Sequence, residues 1–174
     1  MKVLGYLALV TASWIVMAPA TSGAQNAVPP GKAATPSVQA LEKTFFAALR
    51  SGDSAKVLSF VPDHGVNLGS EMQHVSHKEV EQQFQSHRGL FCKLFDSSCL
   101  DAAVNLGNSL RTCSDRELLT ESDKVRVASS EVNRSGVQQA VLVAEVKNDR
   151  CSNSGLIDFI FNFESDGWKL FSIP

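Results

Sequence analysis

Asp158 is the carboxylate in this chain whose placement most invites chemistry. It sits between Leu156 and Ile160 in a segment that alternates large apolar residues with polar ones. If its face of a strand lined a pocket, desolvation would raise its pKa and let it act as a general base. A second cluster is His74 and His77 with Glu71, Glu79 and Glu81 close in sequence. Imidazole and carboxylate together can share a metal or relay a proton. A spacing of three across a helix entry does not put both histidine rings on one face, however, and no third ligand is indicated, so no metal is expected. His64 and His87 flank turns and are expected at the surface. No Gly-x-Ser-x-Gly elbow or phosphate-cradling glycine loop occurs in the sequence, and no cofactor is expected. Asn133-Arg134-Ser135 has the form of an N-glycosylation acceptor in a turn.

The elements that would hold these groups are readable from periodicity. Thr35 before Pro36 predicts a helix start, and Val38, Leu41, Phe45 and Leu49 then recur at helical spacing, with Phe46 widening the stripe. Ser51-Gly52 ends that helix, and Asp53 caps a shorter one carrying Val57, Leu58 and Val61 up to Pro62. Val66 and Leu68 alternate as in a short strand. Ser76 and Glu79 have capping-box spacing, with Val75 and Val80 at hydrophobic-staple positions, so a helix is expected from there to Gly89. Ser114 and Glu117 repeat that spacing before Leu118-Leu119. The run from Leu90 onward fits strand or helix equally.

From Lys124 the pattern is extended, and three strands are predicted at 137–147, 155–164 and 167–173, with a hairpin turn at Ser165-Asp166-Gly167. The middle strand puts Ile157, Phe159, Phe161 and Phe163 on one face. Such a row is stable only when covered, and the preceding amphipathic helices are the available cover. Helices followed by an antiparallel meander give an α+β fold with helices on one sheet face.

Composition narrows the function classes. The chain has 174 residues, 44% of them hydrophobic, and a formal charge of −2, which suits one domain with one core. Its lysines and arginines are scattered, so neither nucleic acid nor an acidic membrane surface is an expected partner. Met1-Lys2, the apolar stretch from Val3 to Val16 and the small residues Ser22-Gly23-Ala24 predict a signal peptide over 1–24, cleaved after Ala24. The mature chain would be secreted or periplasmic, with no membrane attachment after cleavage. Losing Lys2 would move its charge from −2 to −3. The proline-rich residues 25–37 are expected to form a flexible linker to a domain over 38–174. In an oxidising compartment Cys92, Cys99, Cys113 and Cys151 should form two disulfides, with three connectivities open. Cys92–Cys99 with Cys113–Cys151 is the favoured set, one a local loop and the other a tie between a mid-chain segment and a strand turn.

The helix pair over 38–61, the helix over 76–87 and the ending Phe161-Asn162-Phe163-Glu164-Ser165-Asp166-Gly167-Trp168-Lys169-Leu170 resemble the NTF2-like, or SnoaL-like, superfamily with its cystatin-like cone fold. The resemblance implies a curved, mostly antiparallel sheet whose cone encloses a pocket, lined here by Phe45, Ile157, Phe159, Phe161 and Phe163. It also implies a homodimer through the sheet face. Enzymes of the superfamily that polarise a carbonyl do so with a tyrosine, whereas the only tyrosine here, Tyr6, falls in the expected signal peptide. The expected role is therefore a non-enzymatic binding module for a small apolar ligand or a protein partner. The alternative is a small isomerase- or hydrolase-type enzyme using Asp158 and a histidine in the cone.

Overall fold

A computed structural model of the chain describes residues 37–100, 113–148, 151 and 153–173. The expected signal peptide, the linker up to residue 36 and the proposed cap Thr35-Pro36 lie outside them. All described residues belong to one compact unit, Thr35–Pro174.

Helix α1 (Val38–Ser51) starts two residues later than expected: its cap is Ser37 and not Thr35, and the Ser37 hydroxyl accepts the Ala40 N–H at 3.2 Å. The serine thus relieves one of the unpaired N–H groups of the first turn. Gly52, at φ 74°, ends the helix in the left-handed region. Asp53 caps α2 (Ser54–Leu58) by accepting the Lys56 N–H at 2.9 Å. Strands β1 (Val66–Leu68) and β2 (Gln73–Val75) form a small hairpin, which places His74 in a strand ahead of the helix entry. Helix α3 (His77–Gln85) opens on Ser76 and buries Val80 and Phe84, with the staple residue Val75 also buried.

The ambiguous run resolves as helix α4 (Leu90–Phe95), followed by a 3-10 turn over Ser97–Cys99. Helix α5 (Asp115–Glu121) carries a complete capping box between Ser114 and Glu117. Four long strands follow: β3 (Lys124–Arg134), β4 (Val137–Asn148), β5 (Asn153–Glu164) and β6 (Gly167–Ile173). The architecture is α+β. The sheet runs β2-β1-β6-β5-β4-β3, antiparallel throughout except for β1 beside β6.

Gly65 shows how tightly the small hairpin closes. A Cβ there would stand 2.1 Å from the Val75 carbonyl oxygen, and φ is 97°. Only glycine fits such an approach. The core lies between the helices and one sheet face, with Phe45, Phe46 and Leu49 from α1 and Leu118 and Leu119 from α5 buried against Leu142, Phe159, Phe161 and Leu170. Both favoured disulfides are present, Cys92–Cys99 and Cys113–Cys151. The first ties α4 to the 3-10 turn, and the second joins the residue before the α5 cap to the turn between β4 and β5. No helix among the described residues is long and apolar enough to cross a membrane.

Candidate functional site

The two faces of β5 differ sharply in chemistry. Ile157, Phe159 and Phe161 are buried on the helix-facing side, while Phe163 at the strand end is half-buried and packs edge-on to Trp168 at 5.1 Å between ring centroids. Phe45 of α1 meets Phe159 at 4.7 Å, Phe161 at 5.0 Å and Phe60 at 5.5 Å, in each case edge to face. Phe46 reaches Phe159 at 6.2 Å, and Phe60 reaches Phe161 at 5.8 Å. These separations are those of rings in mutual contact. The proposed pocket residues Phe45, Phe159 and Phe161 are thus brought together, as a packed aromatic cluster completed by Phe46 and Phe60. Phe60 escapes sequence reasoning because it follows the last helical residue of α2 and belongs to no periodic stripe.

Asp158 stands on the other face of β5, opposite Val143 of β4 and half-buried beside the exposed Leu156. It shares that face with Ile160, Asn162 and Glu164, and the sheet separates it from the aromatic cluster.

The histidines are dispersed over the described structure. His77 has Nδ1 3.1 Å from the Pro62 carbonyl oxygen and Nε2 3.4 Å from Glu81 Oε1. Its ring thereby fastens the first turn of α3 to the end of the α2 segment. His87 stacks on Phe91 at 4.3 Å, and His64 and His74 are exposed. Among the described residues no three His, Cys, Asp or Glu side chains are grouped so as to hold a metal ion.

Two surface clefts are formed by the described residues alone. One, of about 280 Å³, lies between α1, α2 and the β5–β6 turn, with Leu41, Phe60 and Trp168 as apolar lining and Lys56 and Lys169 among its polar groups. Lys169 Nζ stands 2.8 Å from Asp166 Oδ2, and that contact holds the Asp166 carboxyl below the usual carboxylate range. Lys56 lies over the Phe60 ring at 5.4 Å, so both cations are already engaged within the chain. The other cleft, of about 450 Å³, lies across the ends of β3, β4 and β5. Lys124, Arg126, Glu145, Lys147 and Leu156 line it. Sequence reasoning missed this second group, since its members come from three strands and meet only through the sheet register.

Two carboxylates with lowered pKa serve local structure. Asp96 is lowered chiefly by hydrogen bonds from the Ser98 side chain and backbone, as the cap of the 3-10 turn. At Glu117 burial pushes upward, but hydrogen bonds from Ser114 and Ser97 outweigh it and the net shift is downward. Comparison with family models, with curated proteins and with solved structures finds no match to this chain.

Proposed function

We propose that the chain is an exported, non-enzymatic NTF2-like domain that binds a protein partner through its sheet. The observation that carries this reading is the aromatic cluster of Phe45, Phe46, Phe60, Phe159 and Phe161, whose rings pack α1 and the end of the α2 segment directly against β5, where the resemblance would lead one to expect a cone pocket. A domain that enclosed a small apolar ligand would need that space open. An enzyme using Asp158 would need the carboxylate on the enclosed side, and it stands on the opposite face. The two disulfides support export, because such bonds persist in oxidising compartments. The leading helix pair, the α3 position and the closing Asp166-Gly167-Trp168-Lys169 hairpin support the NTF2-like assignment.

The exposed surface supports a protein partner over a small molecule. Leu156 is 65% exposed, and Val132 and Val137 are also exposed near the β3–β4 turn. The test is twofold. An apolar fluorescent dye titrated into the folded chain should show no saturable site. Photo-crosslinkers at Leu156 and Val132 should give one defined partner adduct that the same group at the exposed Lys43 of α1 does not give. Saturable dye binding that Phe45→Trp abolishes would restore the ligand-pocket reading.

A further inference from the structure

We propose that the free edge of β3 is a strand-addition site for an extended acidic segment of a partner protein, a proposal that rests on the binding-module reading above. The sheet order puts β3 at one end, and among the described residues it pairs only with β4. The opposite edge, β2, has 3 residues, whereas β3 has 11, all exposed but Val125 and Ser129. At about 3.4 Å per residue this is an open edge of roughly 35 Å. Exposed edges are usually kept short, since their unpaired backbone groups are a template for another strand.

The register shows which backbone groups are available. Ser135 and Gly136, at φ 54° and 82°, form the two-residue turn closed by Arg134 and Val137. Positive φ at both positions is the type I′ hairpin, whose closing pair exchanges hydrogen bonds. Alternation from that pair assigns the ladder bonds of β3 to Val132, Ser130, Ala128 and Arg126. The N–H and C=O groups of Val125, Val127, Ser129 and Glu131 then point outward from the sheet.

The side chains favour an acidic occupant. Lys124, Arg126 and Arg134 lie on the same face of the edge strand. Lys124 stands directly opposite Lys147, a like-charge pairing that an added anion would relieve. Arg126 Nη1 is 3.9 Å from Glu145 Oε2, with the two side chains 66% and 62% exposed, a loose contact that leaves the guanidinium free to turn. The 450 Å³ cleft at this end therefore has three cations to one carboxylate. On the other face Val127 is 38% exposed, and Glu131 is engaged by Gln138 Nε2. An incoming strand should alternate carboxylates with small β-branched residues. A second copy fits poorly, because full antiparallel overlap of two β3 strands sets Lys124 against Arg134 at both ends.

The probe is an acetylated peptide of about eight alternating glutamates and threonines, long enough to follow most of the strand. Its counterpart replaces glutamate with lysine. Binding to the full chain is followed by NMR amide exchange. The acidic peptide should bind saturably and the lysine peptide at least about tenfold more weakly. Exchange should slow at the outward amides of Val125, Val127, Ser129 and Glu131 and stay unchanged at Arg126, Ala128 and Ser130. Val127→Pro removes one outward N–H and leaves the ladder to β4 intact, so it should weaken binding about tenfold or more. Ser129→Pro serves if that variant does not fold, and Arg126→Glu should weaken the acidic peptide comparably. No saturable binding, equal binding of both peptides, or indifference to the proline would overturn the proposal. Acidic-peptide binding mapped around Leu156 and indifferent to the proline would refute the edge site while leaving the binding module standing. Saturable dye binding inside the aromatic cluster would refute the module itself. A dimer abolished by Val127→Pro, with no peptide bound, would name a second copy as the occupant and refute the acidic partner.

Discussion

At the scale of single residues, Phe45 is the contact point of the interior. Its ring touches those of Phe46, Phe60, Phe159 and Phe161, and it is fully buried. Phe45→Ala should cost about 3–5 kcal/mol, read as a fall in the urea midpoint with an unchanged slope. Asp158→Asn, on the far side of the sheet, should stay within about 0.5 kcal/mol. An Asp158→Asn loss as large as that of Phe45→Ala would mean that the faces of β5 are misassigned. The sequence made this contrast legible because strict alternation separates Ile157, Phe159 and Phe161 from Asp158. It did not reveal that Phe60 completes the cluster, since an aromatic in a turn carries no period. Nor did it reveal the set Lys124, Arg126, Lys147, which exists only once β3 and β4 are in register.

At the scale of elements, two capping sequences with identical spacing behave differently. Ser76 accepts the Glu79 N–H at 3.3 Å, whereas Ser114 and Glu117 complete both halves of the box, with the Ser114 N–H donating to Glu117 Oε2 at 2.7 Å. Glu117 also accepts from the Ser97 hydroxyl at 2.8 Å, joining the 3-10 turn to α5. Its folded pKa lies below the ordinary value of 4.5. A depressed carboxylate stabilises the fold fully above its unfolded pKa, and that contribution is lost as pH falls through the folded one. Glu117→Gln should therefore lower stability by about 1 kcal/mol at neutral pH and flatten its decline below about pH 4.5, measured by urea unfolding across pH. An acid limb as steep as that of the unaltered chain would count against it. Helix α4 was the least legible element. Leu90, Cys92, Leu94 and Phe95 are all buried, together with Lys93, so the helix is enclosed on most sides and shows no polar stripe to betray its period.

At the scale of the whole molecule, the two disulfides constrain the unfolded chain unequally. Cys113–Cys151 spans 38 residues and Cys92–Cys99 spans 7. Loop entropy gives roughly 4 kcal/mol for the longer and roughly 2 kcal/mol for the shorter. Paired serine replacements should reproduce that order in urea denaturation, and a reversed order would show that native-state packing around Cys92 dominates. The helix-on-sheet architecture was readable from periodicity, because amphipathic helices and an alternating strand need each other. The strand order was not, since no residue pattern says which neighbour a strand will choose.

That order has a consequence for assembly. Strand β6 runs between β5 and β1, although it comes last in chain order among the described elements. The hairpin near residue 70 and the meander from residue 124 onward share no ladder until β6 slots between them. The fold therefore closes like a zip whose final tooth is the hinge of both halves. A nascent chain must hold its early helices and hairpin in waiting until β6 has been made. Losing β6 would leave two half-sheets, each with a row of backbone N–H and C=O groups stripped of partners.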